Sequence, residues 1–304
     1  VDRRKVLTAL ICVAILNFII LAVSGYWDSK KAVEIRAAES KDELNQSRVP
    51  GSQRTILMVG GSGSNLPITR VLGRAFMERY PGIEVEIPES LGSTGGIKSA
   101  NEGLIDIGLT AREFLPAERE LGLEYIPYAR VLLSFAVNNN VNIDNLTEEQ
   151  LLGIYTAKIT NWKEIGGPDH EIVVLTRELS DSSRLVWDNC LKGFGNTGNL
   201  PEAVLLRSDQ AMNEAIRSIP YSIGWTDLGA VTLEYPETSM LKINGVSPRY
   251  EMVLNGEYPY IKELAFVTKG KPAGDVLKFI NFVRGWEGAR ILMDNGYMAA
   301  RKDK

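Results

Sequence analysis

Ile56-Leu57-Met58-Val59-Gly60-Gly61-Ser62-Gly63-Ser64-Asn65-Leu66 is the stretch on which the fold turns. Four apolar residues in a row, ended by glycines, are too few for a helix and read as a short buried strand. The loop behind them is small and polar. From Ile68 to Arg79 the apolar positions Val71, Leu72, Ala75 and Phe76 fall on one helical stripe. Working outward, Ile83 to Ile87 alternates with period two, Gly96 to Glu102 predicts a short helix, and Ile105 to Leu109 another strand. The β-α-β-α-β order implies a parallel sheet covered by helices.

Further along, Tyr128 to Val137 is a longer apolar segment without a helical stripe. Thr147-Glu148-Glu149-Gln150 has the form of a capping box ahead of a helix through Leu151, Leu152 and Tyr155. Glu171 to Leu175 predicts a strand and Ser183 to Leu191 a helix. Ser208 is placed to cap a helix over Asp209 to Ser218, stopped by Pro220. Strands follow at Tyr221 to Trp225 and Leu264 to Thr268, then amphipathic helices at Gly274 to Arg284 and Trp286 to Asp294. There is no internal repeat.

Upstream of the opening stretch the character changes. Arg3, Arg4 and Lys5 precede Val6 to Val23, 18 residues broken only by Thr8 and Asn17. At 1.5 Å per residue such a run spans ~27 Å, close to the hydrocarbon thickness of a bilayer. Tyr26 and Trp27 follow where an interfacial aromatic belt would sit. Two readings stand: a retained anchor over residues 6–25, or a signal cleaved after Ala22-Val23-Ser24. Both export the rest of the chain. Residues 28–53, rich in charge and poor in large apolar side chains, read as a stalk.

The 304 residues suit two domains, and 34 basic against 38 acidic side chains offer nothing to nucleic acid. His170 is the sole histidine, so no His-pair zinc site and no H-E-x-x-H protease motif exist. It lies in a Gly-Gly-Pro-Asp-His turn and reads as an exposed loop residue, and no G-x-S-x-G elbow occurs, so a hydrolase is disfavoured. Two cysteines make no disulfide scaffold; Cys12 lies in the apolar run and Cys190 reads as a small buried hydrophobe.

Three segments repeat one design, a strand, a loop of small polar residues and a helix start: residues 60–66, residues 91–96 and residues 180–183. A helix N-terminus offers free N–H groups and a partial positive charge, and glycine lets the backbone approach a ligand. Arg112 follows the strand ending at Leu109, and Arg177 follows the strand ending at Leu175. A guanidinium fork suits a tetrahedral oxyanion. The first loop lacks the third glycine of a dinucleotide fingerprint, and no Gly-Lys-Ser/Thr makes a phosphate-binding P-loop. No cofactor or metal is expected.

With these residues in view, the chain resembles the periplasmic phosphate-binding proteins of the phosphate ABC importer, a branch of the type II periplasmic binding proteins. The resemblance runs from about Ile56 to Ala299 and rests on residues 61–65, 91–98, 103–112, 159–167, 222–225, 255–259 and 286–298. It implies an α/β fold of two lobes joined by two hinge strands near Tyr128–Val137 and Tyr258–Thr268, preceded here by one transmembrane helix. Residues 54–130 and 262–304 would form lobe 1, residues 131–261 lobe 2, and residues 1–27 the anchor segment. Trp162 and the Ile223-Gly224-Trp225 strand would lie in the core of lobe 2. Lobe 1 would offer Ser64, Asn65, the N–H of Leu66, Ser93, Thr94 and Arg112 to the anion. Lobe 2 would offer Arg177, Ser182 and Ser183, and Asp181, beside them, is a further candidate for contact with the ligand. The implied partners are inorganic phosphate or a related oxyanion, an ABC importer permease, and the membrane through the N-terminal segment; the protein would be a monomer and not an enzyme.

Two departures from the family pattern bear on function. Ala111 stands where many members have an aspartate that accepts the ligand's proton. Asp181 stands where a neutral serine is usual. A carboxylate beside a dianion in a dry cleft is costly. Three roles are open to Asp181: accepting the ligand's proton, neutralising Arg177, or facing outward. The first suits a phosphate receptor. The second suits a membrane-tethered sensory or interaction module that keeps the fold with an altered anion site.

Overall fold

The computed structural model of the protein describes residues 55–300. The expected anchor over residues 6–25, the stalk and Cys12 lie outside the described residues. No helix among the described residues is long and apolar enough to cross a membrane.

The chain opens β1 (Thr55–Gly61), α1 (Leu66–Arg79), β2 (Ile83–Glu86), α2 (Gly92–Glu102), β3 (Ile107–Thr110) and a short α3 (Pro116–Arg119). The 15-residue strand β4 (Leu123–Val137) leads to β5 (Asn145–Leu146), α4 (Glu148–Tyr155), β6 (Val173–Arg177), α5 (Ser182–Cys190) and β7 (Val204–Leu206). Then come α6 (Asp209–Ser218), β8 (Ser222–Asp227), α7 (Leu228–Leu233), β9 (Lys242–Ile243), α8 (Tyr250–Leu254), β10 (Ile261–Lys269), α9 (Gly274–Val283), α10 (Trp286–Asp294) and β11 (Met298–Ala299). The Thr147 capping box forms as read: its Oγ1 accepts from the Gln150 N–H at 3.1 Å, and Gln150 Oε1 accepts from the Thr147 N–H at 2.9 Å. Ser208 caps α6 by accepting from the Ala211 N–H at 3.0 Å.

Strands run in the order β2-β1-β3-β10-β4-β8-β6-β7, with β11 added against β4. β1 pairs in parallel with β2 and β3, and β6 in parallel with β8 and β7. The antiparallel pairs are β10 with β3 and β4, and β4 with β8. β4 therefore belongs to both lobes. Its first part, Leu123–Leu132, pairs with β10, and Leu133–Val137 pairs with β8. The segment entering β10 runs beside this changeover, where the Leu133 N–H donates to Tyr260 O at 3.0 Å. These are the two crossing segments that the resemblance places near 128–137 and 258–268.

Each lobe has its own apolar core. In the first, Phe76 of α1 meets Phe279 of α9 edge-on at 5.1 Å, over Leu57, Val59 and Leu109 of the sheet. In the second, Phe135 of β4 packs on Trp187 of α5 at 4.3 Å, with Trp162, Trp225 and Phe194 around it. Full burial of such side chains contributes roughly 1.5–3 kcal/mol each. Trp162 and Trp225 thus sit in the second core as expected. After β8, α7 turns back: Leu228 borders both cores and Leu233 packs on the first. Cys190, read from the sequence as buried, is exposed at the end of α5, because the buried stripe of that helix runs through Ser183, Arg184 and Trp187. His170 is exposed in its turn, stacked on Tyr221 at 3.8 Å.

Glycines let α2 lie directly on the sheet. A Cβ on Gly96 would fall 2.7 Å from both the Gly61 Cα and the Leu109 carbonyl oxygen, and one on Gly108 2.7 Å from the Gly96 carbonyl oxygen. Helix and strands meet backbone to backbone, which pins the loops at the strand ends.

Candidate functional site

Where the lobes meet, a buried charge cluster is assembled from loop 60–66, β6, α5, α6, β8 and β10. Lys262, the second residue of β10, is almost fully buried at the strand crossing. Its Nζ donates to Ser64 Oγ of the first loop and to Ser183 Oγ of α5 at 2.9 Å. Both hydroxyls in turn donate to Asp209 Oδ1, Ser64 at 3.2 Å and Ser183 at 3.5 Å. Lysine, two serines and an aspartate thus close a ring that includes both lobes and a crossing strand. Lys262 Nζ also lies 3.4 Å from Asp227 Oδ2 and 3.7 Å from Asp209 Oδ1.

Arg177 ends β6 on the same side and is 3% exposed. Its Nη2 donates to Asp181 Oδ2 at 2.7 Å, and Nη1 approaches Asp209 Oδ2 only to 3.9 Å. Nε and Nη1 have no hydrogen-bond acceptor. Backbone support for Arg177 comes from Asn199, whose Nδ2 donates to Arg177 O at 3.2 Å and whose Oδ1 accepts from Thr176 Oγ1 at 3.0 Å. The loop holding Asn199 is organised in turn by buried Arg184, which pairs with Asp188 at 2.7 Å and donates to Thr197 Oγ1 at 2.8 Å.

Asp181 takes the second of the three roles left open by the sequence. Its Oδ1 caps α5, accepting the N–H groups of Ser183 at 3.0 Å and Arg184 at 3.1 Å, while Oδ2 holds Arg177. The carboxylate therefore occupies the helix N-terminus that loop 180–183 was expected to offer to a ligand. Burial, and then the charge of Asp209, push its carboxyl above the ordinary value. Burial likewise raises Asp227, which caps α7 through the Ala230 N–H at 2.9 Å. Burial also works against the charge on Asp209, but the positive charges of Lys262 and Arg177 outweigh it and hold that carboxyl below its ordinary value.

Five expected ligand groups have partners inside the first lobe. Asn65 Nδ2 turns into the first lobe and donates to Thr110 O at 3.3 Å and Tyr128 Oη at 3.0 Å. The Leu66 N–H is used within its own turn, on Gly63 O at 3.2 Å. Ser93 Oγ accepts from the Ala111 N–H at 3.2 Å. Thr94 Oγ1 accepts from Arg112 Nη2 at 3.0 Å. Arg112 grips Glu118 in a two-pronged pair at 2.6 and 2.8 Å. Ser182 is buried beside Asp181 at the start of α5. Of the three loops expected to converge, the first and third do so; the second serves Arg112 inside its own lobe.

A family model described as the PBP superfamily domain matches residues 48–285. The chain belongs to that superfamily. Among relatives of this PBP-superfamily protein, the phosphate-binding protein PstS of Bacillus subtilis (strain 168) is 25% identical over 302 residues, covering 97% of this chain and 94% of that protein. PstS of Borreliella burgdorferi is 25% identical over 253 residues, 81% of this chain and 90% of that protein. Among solved structures, a candidate phosphate ABC-transporter substrate-binding protein from Clostridium perfringens, with bound phosphate, superposes with a TM-score of 0.75. It is 27% identical and covers 81% of this chain and 100% of its own. An ABC-type phosphate transport receptor from Vibrio cholerae gives 0.62 at 25% identity, with 81% and 100% covered.

Sequence reading missed Lys262 and Asp209. Lys262 lies within Ile261-Lys262-Glu263, where a charged pair reads as a solvated strand entry. A lysine so near an apolar strand was the available signal, since lysine is almost never fully buried unless paired. Asp209 reads as an ordinary first-turn acid on α6, and nothing local says that α6 points at Ser64.

Proposed function

We propose that the protein is an exported solute-binding protein that takes inorganic phosphate between its lobes for uptake by an ABC importer. The observation that carries the reading is the donor set at the lobe junction. Arg177 Nε and Nη1 are buried without acceptors, Nη1 3.9 Å from the Asp209 carboxylate that shares the ring with Lys262 Nζ and the hydroxyls of Ser64 and Ser183. Buried guanidinium N–H groups left unpaired are costly, and a tetrahedral oxyanion is the acceptor that a fork, an ammonium and two hydroxyls fit. The bound phosphate of the Clostridium relative and the phosphate-binding names of the curated relatives support the same ligand.

In this reading residues 54–130 with 262–304 act as lobe 1 and residues 131–261 as lobe 2, hinged at the two crossings. Each lobe supplies part of the donor set, so the anion stabilises the closed arrangement and no bond is made or broken. Ser64, Lys262, Arg177 and Ser183 are the direct donors. Asn65, Leu66, Ser93, Thr94 and Arg112 shape the first lobe. The membrane anchor over residues 6–25, the monomeric state and the permease partner belong to the same proposal. Isothermal titration of the ligand-free protein at neutral pH is expected to give 1:1 phosphate binding that collapses in Arg177→Ala. Absence of heat with phosphate overturns the assignment.

A second reading has one observation in its favour. Asp181 neutralises Arg177 and fills the α5 N-terminus, as a tethered sensory or interaction module with an altered anion site would have it. A protein that binds no phosphate as wild type but does so as Asp181→Ser is the outcome that would favour it.

A further inference from the structure

Asp209 stands apart from the other acids of the junction. Asp181 and Asp227 each cap the helix that follows them, Asp227 also facing Lys262 at 3.4 Å. Asp209 Oδ1 instead accepts from Ser64 of one lobe and Ser183 of the other, and its Oδ2 faces Arg177. The fit is close: a Cβ on Gly63 would fall 2.6 Å from Asp209 Oδ2. The neighbouring Gln210 adds a second bond across the same junction, Nε2 to Gly63 O at 3.1 Å.

We propose that the Asp209 carboxylate is a tethered anion that occupies the donors of the phosphate seat, holds loop 60–66 against α6, and must be displaced for phosphate to bind. This rests on the phosphate reading for its ligand but not for its geometry. The donors Asp209 uses are those assigned to phosphate. It uses them incompletely: Lys262 Nζ stays 3.7 Å away, Arg177 Nη1 3.9 Å, and Arg177 Nε has no acceptor. A carboxylate has two oxygens, whereas phosphate has four arranged to reach a fork and an ammonium at once. The tethered anion is therefore displaceable. Charge works in the same direction. Two cations, Arg177 and Lys262, already face three carboxylates, Asp181, Asp209 and Asp227. An arriving dianion meets fewer like charges once Asp209 is neutral. Asp209 thus sets the affinity of the site by competing for it.

The test uses the full chain and two variants, Asp209→Asn and, in case the amide rebuilds the contacts, Asp209→Ala. Phosphate titration is expected to show binding about tenfold or more tighter in Asp209→Asn than in wild type. Hydrogen exchange without phosphate is expected to quicken at residues 60–66, on the lobe opposite the substitution; a loss confined to α6 helix stability would not move it. Phosphate heat in the variant alone supports the tethered anion, which then blocks the wild-type site, while overturning the reading of the wild type as a phosphate receptor. Wild-type binding with unchanged or weaker binding in both variants overturns it and leaves the phosphate reading intact. If neither wild type nor variant binds phosphate, that reading falls, and the exchange at 60–66 decides the tethered anion alone: quickened supports it, unchanged overturns it.

Discussion

Arg112 and Arg177 occupy matching places in the two lobes, each at or just past the end of a strand that leads from the sheet toward the junction, and both are buried. Their surroundings differ. Both terminal nitrogens of Arg112 are engaged, by Glu118, Thr94 and the Glu113 carbonyl, all within 18 residues of it. Arg177 commits one nitrogen to Asp181 and keeps two without acceptors, in a cluster where carboxylates outnumber cations. A local pair of this kind is a fastening: it orders the chain between β3 and α3 and leaves only Arg112 Nε without an acceptor. An unsaturated cluster spanning two lobes is unfinished chemistry, and that is where a ligand is to be sought.

The contrast can be broken at several points. Lys262→Met leaves Asp209 and Asp227 facing each other without their shared cation. Breaking a buried pair from one side costs about 3–5 kcal/mol, to be read from urea unfolding. A loss below about 1 kcal/mol would show the cluster to be better solvated than its burial indicates. Next in size is phosphate affinity. Arg177→Met is expected to weaken it by about 100-fold or more, the scale of losing one partner of a buried charged hydrogen bond. Arg112→Met is expected to leave it within about threefold, after correction for any unfolding. Equal losses in both would erase the distinction drawn here.

The third test is the sign of pH dependence. Burial alone would raise the Glu118 carboxyl, but its bonds to Arg112 and to the Leu115 N–H bring it below the ordinary value. A depressed carboxyl contributes stability that is present above its unfolded value and lost as pH falls through the folded one. Asp227, raised by burial, contributes stability present at low pH and lost as pH rises through its folded value. Urea midpoints measured from about pH 3 to about pH 8 should therefore show Glu118→Gln flattening the acid side and Asp227→Asn flattening the decline toward neutral pH. The same slope change in both would contradict the assigned directions. The smallest effect is expected at Arg70, whose 3.3 Å pair with Glu234 is part-exposed on both sides. Arg70→Ala should cost less than about 1 kcal/mol in the same assay.

Most elements of the fold were legible in local sequence. The helix over Asp209–Ser218 has the bounds that Ser208 and Pro220 predict, and Trp286–Asp294 likewise. Errors at other ends were a few residues, as at α2, which begins at Gly92 rather than Gly96 because the glycine-rich start is stabilised by packing on β1 and β3 rather than by propensity. Cys190 was misjudged because a nine-residue helix buries one stripe, and which residues fall on it depends on what packs there.

The site was only half legible. Glycine and serine at a strand-to-helix turn announce a loop suited to anions, and an arginine after a strand end announces a fork; both signals are local, and they point to Ser64, Arg177 and Ser183, which meet at the lobe junction. Sequence by itself determined the alternating architecture and this list of donors, because backbone preference and hydrophobic period are set within a few neighbours. Only the tertiary structure decided which donors meet. Ser64 and Lys262 are 198 residues apart, and Ser64 and Asp209 145. The strand crossing that buries Lys262 and the turn of α6 that aims Asp209 at Ser64 are consequences of packing, and electrostatic partnership follows distance in space, not along the chain.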